Sequence, residues 1–245
     1  MTDALGLRPP RGRARTRPRP PLDLRVYLVT DAARCGSLGV VDTVRHAVRH
    51  GATLVQLRDP RANDADLVDL GRALVRELDR AGVPLLVNDR PDLVAPIGAA
   101  GAHLGQRDLD VATARARLGP DAVIGLSAQT LDQVEAARSL AGGIGCVDYL
   151  GVGPIWPTDS KRDAAPACGT AHLARMVSAS PWPVVAIGGI TCDRTAEVRA
   201  SGAAGIATIS GICGQPDVAR ATGALRAAWD GAAAGSGGPR PGRCT

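Results

Sequence analysis

From about residue 24 to residue 230 the chain alternates between two hydrophobic patterns. The first is a short apolar run with little polar alternation. It recurs as R-V-Y-L-V-T (25–30), T-L-V-Q-L-R (53–58), P-L-L-V-N (84–88) and G-A-H-L (101–104). It continues as A-V-I-G-L-S (122–127), V-D-Y-L-G-V (147–152), P-V-V-A-I-G (183–188) and G-I-A-T-I-S (205–210). Runs this short and this apolar suit parallel strands buried on both faces. The second pattern is amphipathic, as in V-V-D-T-V-R-H-A-V-R-H and D-L-V-D-L-G-R-A-L-V-R-E-L-D-R. Apolar residues recur at i, i+3, i+4 and i+7, and Gly51 and Gly82 stand where helix C-caps are common. Eight strand–helix units in about 207 residues predict one α/β domain, a (β/α)8 TIM barrel over 24–230. A doubly wound open sheet is the rival fold. Its edge strands would be short or charged, whereas the first and last runs here match in character.

Composition sharpens this reading at three points. With 45% hydrophobic residues but 2% aromatics and no Phe, the core must be built from Val, Ile, Leu and Ala. Residues 1–20 carry six arginines against Asp3, a local +5 that equals the net charge of the whole chain. The basic character therefore belongs to a Pro/Arg-rich tail (1–23), expected to be disordered like the Gly-rich end (231–245). A nucleic-acid arm or an organelle presequence would use such a tail. The folded part adds neither a basic face nor stacking aromatics, which favours a solvated extension and no nucleic-acid partner. Six scattered cysteines without a C-x-x-C pair point to free thiols in a reducing cytoplasm. No apolar run approaches the roughly 20 residues of a membrane span.

In a barrel, chemistry sits at the C-terminal ends of the strands. Polar residues gather there: Gln56 to Asp59, Asn88 to Arg90, Gly105 to Asp108, Ser127 to Thr130, Gly151 to Lys161, Gly188-Gly189 and Ser210-Gly211. The glycine-rich ends of strands 7 and 8 suit a phosphate held by backbone N–H groups, or simply turn the chain. Asp89 and Asp108, on neighbouring strands, suit Mg2+; Asp108 alone would equally suit a helix N-cap. Arg58 and Lys161 supply positive charge, and Lys161 is the only lysine in the chain. There is no Ser-His-Asp set, no activated Cys and no mid-strand lysine, and His103 falls inside strand 4. The chemistry implied is electrostatic: help a polyphosphate leave while a second phosphorylated molecule is held as nucleophile.

The stretches G-A-T-L-V-Q-L-R-D, V-N-D-R, G-A-H-L-G-Q-R-D, I-G-L-S-A-Q-T, D-Y-L-G-V-G-P-I-W-P-T-D-S-K, V-A-I-G-G-I-T and G-A-A-G-I-A-T-I-S together resemble the thiamine phosphate synthase (thiamine-phosphate pyrophosphorylase) family. The resemblance implies a TIM barrel and a transferase of thiamine biosynthesis. It would join a hydroxymethylpyrimidine diphosphate to a thiazole phosphate, through early loss of diphosphate and capture of a pyrimidine cation by the thiazole nitrogen. It assigns Gln56, Arg58, Asn88, Ser127 and Lys161 to the pyrimidine diphosphate, with Arg58, Ser127 and Lys161 acting in catalysis. It assigns Asp89 and Asp108 to Mg2+, and Thr158, Ser160, Gly189, Ile209 and Ser210 to the thiazole phosphate. Two positions depart from the family pattern. Pro60 stands in the place of a diphosphate-binding lysine, with Arg61 next to it as the substitute cation. Gln129 replaces a common histidine on which the related thiazole tautomerase relies, so an isomerase of that type is disfavoured. A non-catalytic binder of phosphorylated ligands is the remaining alternative. The partners expected are these small molecules, with no membrane; the oligomeric state is left open, a homo-oligomer included.

Overall fold

A computed structural model of the chain describes residues 22–140, 143–160 and 165–231. Nearly all of both expected tails, and Lys161, lie outside the described residues. The eight apolar runs become eight strands: β1 Val26–Val29, β2 Leu54–Leu57, β3 Leu85–Asn88, β4 Gly101–Leu104, β5 Val123–Ser127, β6 Tyr149–Val152, β7 Val184–Ile187 and β8 Gly205–Thr208. Each pairs in parallel with the next. The ring closes between β1 and β8, with Val26 opposite Ile206 and Leu28 opposite Thr208. This closure removes the two edges that an open sheet would leave, and with them the doubly wound alternative. The strands are shorter than the apolar runs. The last residues of several runs, Arg58, Gly188, Ile209 and Ser210 among them, lie past the strand ends in the loops.

The side-chain period of two sorts each strand. Tyr27 and Val29, Tyr149 and Gly151, and Val185 and Ile187 face the barrel interior and its mouth. The residues between them are buried as well, which is why no polar alternation marks these strands. Outside lie α1 (Ala32–Cys35), α2 (Gly39–Arg49), α3 (Asp64–Asp79), α4 (Val94–Ile97), α5 (Val111–Leu118), α6 (Leu131–Arg138), α7 (Gly169–Ala179), α8 (Thr195–Ala200) and α9 (Val218–Gly231). In α3 the Asn63 side chain accepts from Asp66 N at the N-cap, and Leu67, Gly71, Leu74 and Leu78 form the buried stripe. Burying each of those leucines contributes about 2 kcal/mol. At the end of the barrel opposite the loops, Asp148 accepts from Arg115 Nη2 (2.8 Å) and from Ile124 N (2.7 Å), tying α5 to β5 and β6. No helix among the described residues is long and apolar enough to cross a membrane.

Candidate active site

The C-terminal ends of the strands surround one cavity of about 800 Å³, a volume that accommodates small organic ligands. Gln56, Arg58, Pro60, Asn88, Asp89, Asp108, Ser127, Thr158, Ser160, Gly189, Ile209 and Ser210 all line it. Arg61 does not: its side chain is exposed, and its backbone N–H donates to Asp59 Oδ1 at 3.0 Å. Lys161 directly follows the cavity-lining Ser160 in sequence but is outside the described residues.

On the β2–β5 side, Arg58 leaves the strand end and its Nη1 lies 3.4 Å from Asp31 Oδ2. Asp31 is the N-cap of α1, so β1 supplies the carboxylate that steadies the β2 arginine. Asn88 ends β3, and Asp89 follows it with φ of 57°, a left-handed conformation uncommon outside glycine. Such strain at a cavity rim is the kind that functional sites retain. Asp108 has Oδ2 bonded to Gly105 N at 2.7 Å. The N-cap of α5 is Asp110, not Asp108: Asp110 accepts from Thr113 N at 3.0 Å. The Thr113 hydroxyl, then its backbone N–H, holds the Asp110 carboxyl below the usual range. With the cap supplied by Asp110, the Asp108 carboxylate closes the turn onto Gly105 N and lines the cavity. Among the described residues no three His, Cys, Asp or Glu side chains converge as a closed metal cage. Two hard carboxylates at adjacent strand ends nevertheless fit Mg2+, which takes one or two protein carboxylates and fills its shell with water and substrate phosphate.

On the opposite side, Thr158 and Ser160 follow β6, and Ser160 Oγ lies 3.4 Å from Ser210 Oγ after β8. Ser160 N donates to Thr158 Oγ1 at 3.2 Å. Arg34 Nη2 ties this loop to α1 through Asp159, at 3.0 Å from Oδ1 and 3.1 Å from the carbonyl. Gly188 and Gly189 follow β7 with φ of 96° and 66°. A Cβ on Gly189 would stand 2.7 Å from Trp156 Cβ, so only glycine lets the backbone line the cavity there. Arg194 fixes this turn by donating to the Gly189 carbonyl (2.7 Å) and stacking over the Trp156 ring (4.8 Å).

Among the cavity residues without an assignment from the sequence are Tyr27, His103 and Tyr149. His103 sits inside β4 as expected, but its ring reaches the cavity, with Nδ1 2.8 Å from Tyr149 Oη and Nε2 2.9 Å from Ser127 Oγ. Burial pushes both phenols above their ordinary pKa. The signal that could have found them is compositional. Tyr27 and Tyr149 are the only tyrosines in a chain with no Phe, and each sits in a strand where Leu or Val would do.

The model of the thiamine monophosphate synthase family matches residues 26–212. A thiamine-phosphate synthase of Azorhizobium caulinodans is 46% identical over 206 residues, which cover 84% of this chain and 95% of that protein. One from Xanthobacter autotrophicus is 44% identical over 208 residues, 85% of this chain and 96% of that protein. The solved structure of the thiamine phosphate pyrophosphorylase from Pyrococcus furiosus superposes with a TM-score of 0.76 at 33% identity, covering 86% of this chain and 98% of that one. With every one of its eight strands and the whole cavity rim inside the matched span, the chain belongs to the thiamine monophosphate synthase family.

Proposed function

We propose that the protein is a thiamine phosphate synthase that condenses 4-amino-2-methyl-5-hydroxymethylpyrimidine diphosphate with a thiazole phosphate. The observation that carries the reading is a single cavity whose polar lining falls into two groups. Arg58, Asn88, Asp89, Asp108 and Ser127 form one, and Thr158, Ser160, Gly189 and Ser210 form the other. In this reading Arg58 and Asn88 bind the diphosphate, joined by Lys161. Pro60 forms part of the cavity wall, and the cation expected of Arg61 would have to reach in from the rim. Thr158 and Ser160, with the backbone at Gly189, Ile209 and Ser210, hold the thiazole phosphate so that the ring nitrogen faces the pyrimidine methylene. Asp89 and Asp108 would hold Mg2+, which when bound neutralises charge on the diphosphate leaving group.

The C–O bond to the diphosphate breaks with its electron pair leaving on oxygen, and the thiazole nitrogen lone pair forms the new C–N bond. Arg58, Lys161 and Ser127 stabilise the charge that builds on the departing oxygens. The aliphatic walls, Val29, Val185, Ile187 and Ala207, keep water from capturing the cation. Neither step requires a general base. Incubation of the purified protein with both substrates and Mg2+ should give thiamine phosphate by liquid chromatography. No product at saturating substrates would refute the proposal. Conversion of the thiazole phosphate alone would instead support an isomerase, and stabilisation by ligands without turnover a binder.

A further inference from the structure

Beneath the rim of the cavity, five side chains form a continuous hydrogen-bonded chain. Gln56 Nε2 donates to Tyr27 Oη (2.5 Å), which lies 2.8 Å from Tyr149 Oη. Tyr149 Oη is 2.8 Å from His103 Nδ1, and His103 Nε2 is 2.9 Å from Ser127 Oγ. All five line the cavity, and Tyr27, Gln56, His103 and Tyr149 are buried. The two ends are residues read above as pyrimidine ligands; the three in the middle have no part in that reading.

The chain has a direction. An amide nitrogen donates and cannot accept, so Tyr27 Oη is the acceptor from Gln56. Tyr27 has one proton, and its other hydrogen-bonded neighbour among the described residues is Tyr149 Oη. Leaving that proton unbonded in the barrel interior would be costly, so Tyr27 donates to Tyr149. Burial keeps both phenols protonated, so the same count applies at the next link. Tyr149 gives its proton to His103 Nδ1, which must therefore be bare. The imidazole proton then sits on Nε2 and points at Ser127 Oγ. Ser127 already accepts there, so its own O–H is left for the cavity.

The surrounding backbone is shaped to hold this arrangement. His103, Gly125 and Tyr149 occupy one row across β4, β5 and β6. A Cβ on Gly125 would come within 2.5 Å of His103 Nδ1 and closer still to the Tyr149 ring. The strand between the two rings is bare where they meet.

We infer that this is a one-way chain which fixes Ser127 as a donor into the cavity, toward the departing oxygens, and Gln56 Oε1 as an acceptor on the ring subsite. His103 is the positioning residue that transmits the polarity, and the result selects an aminopyrimidine over its oxo counterpart. The selection rests on the substrate reading above. An exocyclic amino group donates to Gln56 Oε1, whereas an oxo group would set lone pair against lone pair. Sites built to match a substrate hydrogen bond reject the mismatched analogue strongly, so discrimination of at least about a hundredfold in kcat/KM is expected.

The test uses the full chain labelled with 15N-histidine, observed by NMR at neutral pH without substrate. His103 is identified by difference from His103→Gln. The expected result is a neutral ring with the proton on Nε2. A proton on Nδ1 would overturn the inference, because a reversed chain, with Gln56 Oε1 accepting from Tyr27, requires it. Tyr149→Phe keeps the ring and cuts the chain. It should mix the His103 tautomers and reduce the amino-over-oxo preference at least tenfold, while KM for the thiazole phosphate stays put. An unchanged preference would overturn the selection. The predicted tautomer in a protein that makes no thiamine phosphate would uphold the polarity and overturn the selection.

Discussion

Arg58→Ala perturbs the diphosphate half in two ways at once. It removes a charge-assisted contact to a phosphoryl oxygen, a loss of about 1.5–3 kcal/mol. It also uncovers Asp31, whose carboxylate is 3.4 Å from the guanidinium. A phosphoryl oxygen on the far side of Arg58 would sit about 7 Å from that carboxylate, and at an effective dielectric of about 20 the repulsion is about 2 kcal/mol. That dielectric is reasonable because the two side chains are only 15% and 16% exposed. Together the terms raise the barrier by about 3.5–5 kcal/mol, which lowers kcat/KM for the pyrimidine diphosphate by roughly several hundredfold to several thousandfold. The double variant Arg58→Ala/Asp31→Asn should recover about thirtyfold of that, the 2 kcal/mol repulsive share. Asn at position 31 keeps an Oδ1 to accept from Arg34 N, so the α1 cap survives. The assay is steady-state kinetics on the four proteins of the cycle, with calorimetric binding of inorganic diphosphate as a readout free of turnover. No recovery in the double variant would refute the reasoning, as would an Arg58→Ala protein with unchanged diphosphate affinity.

Lys161→Ala should lower turnover by orders of magnitude, and Lys161→Arg should restore only part of it, since a planar guanidinium does not replace a compact ammonium; initial rates at saturating substrates check both. Asp108→Asn should raise the Mg2+ concentration needed for half-maximal rate with little change in Tm. Asp110→Ala should do the reverse, costing about 1 kcal/mol of stability through the lost α5 cap; metal titration and urea unfolding separate the pair. Gly125→Ala should push His103 and Tyr149 apart and destabilise by about 1–3 kcal/mol as an overpacked core, with a matching fall in kcat; wild-type urea unfolding and kinetics would contradict the crowding at that strand.

The barrel was legible because its signal is local. A parallel strand buried on both faces is a short apolar run, and β1, β3 and β7 are visible as such from composition alone. Gln56, Asn88 and Ser127 were legible for a related reason: each is polar at the end of an apolar run, where a barrel opens. What the sequence hid depends on contacts between distant segments. Tyr27 and Tyr149 meet across 122 positions, and in isolation each reads as core. The Arg58–Asp31 pair joins two loops that no periodicity connects. In D-L-D the choice between Asp108 and Asp110 as cap depends on where α5 starts, a boundary that pattern leaves loose. α1, four residues long, is too short to show a helical period at all.

The central claim is that this cavity joins two phosphorylated substrates by expelling diphosphate. 31P NMR of a reaction containing the protein, both substrates and Mg2+ tests it most directly. The resonances of the pyrimidine diphosphate should fall as those of free diphosphate and thiamine phosphate rise one for one. Diphosphate released without thiamine phosphate, or a spectrum that does not change with time, would contradict it.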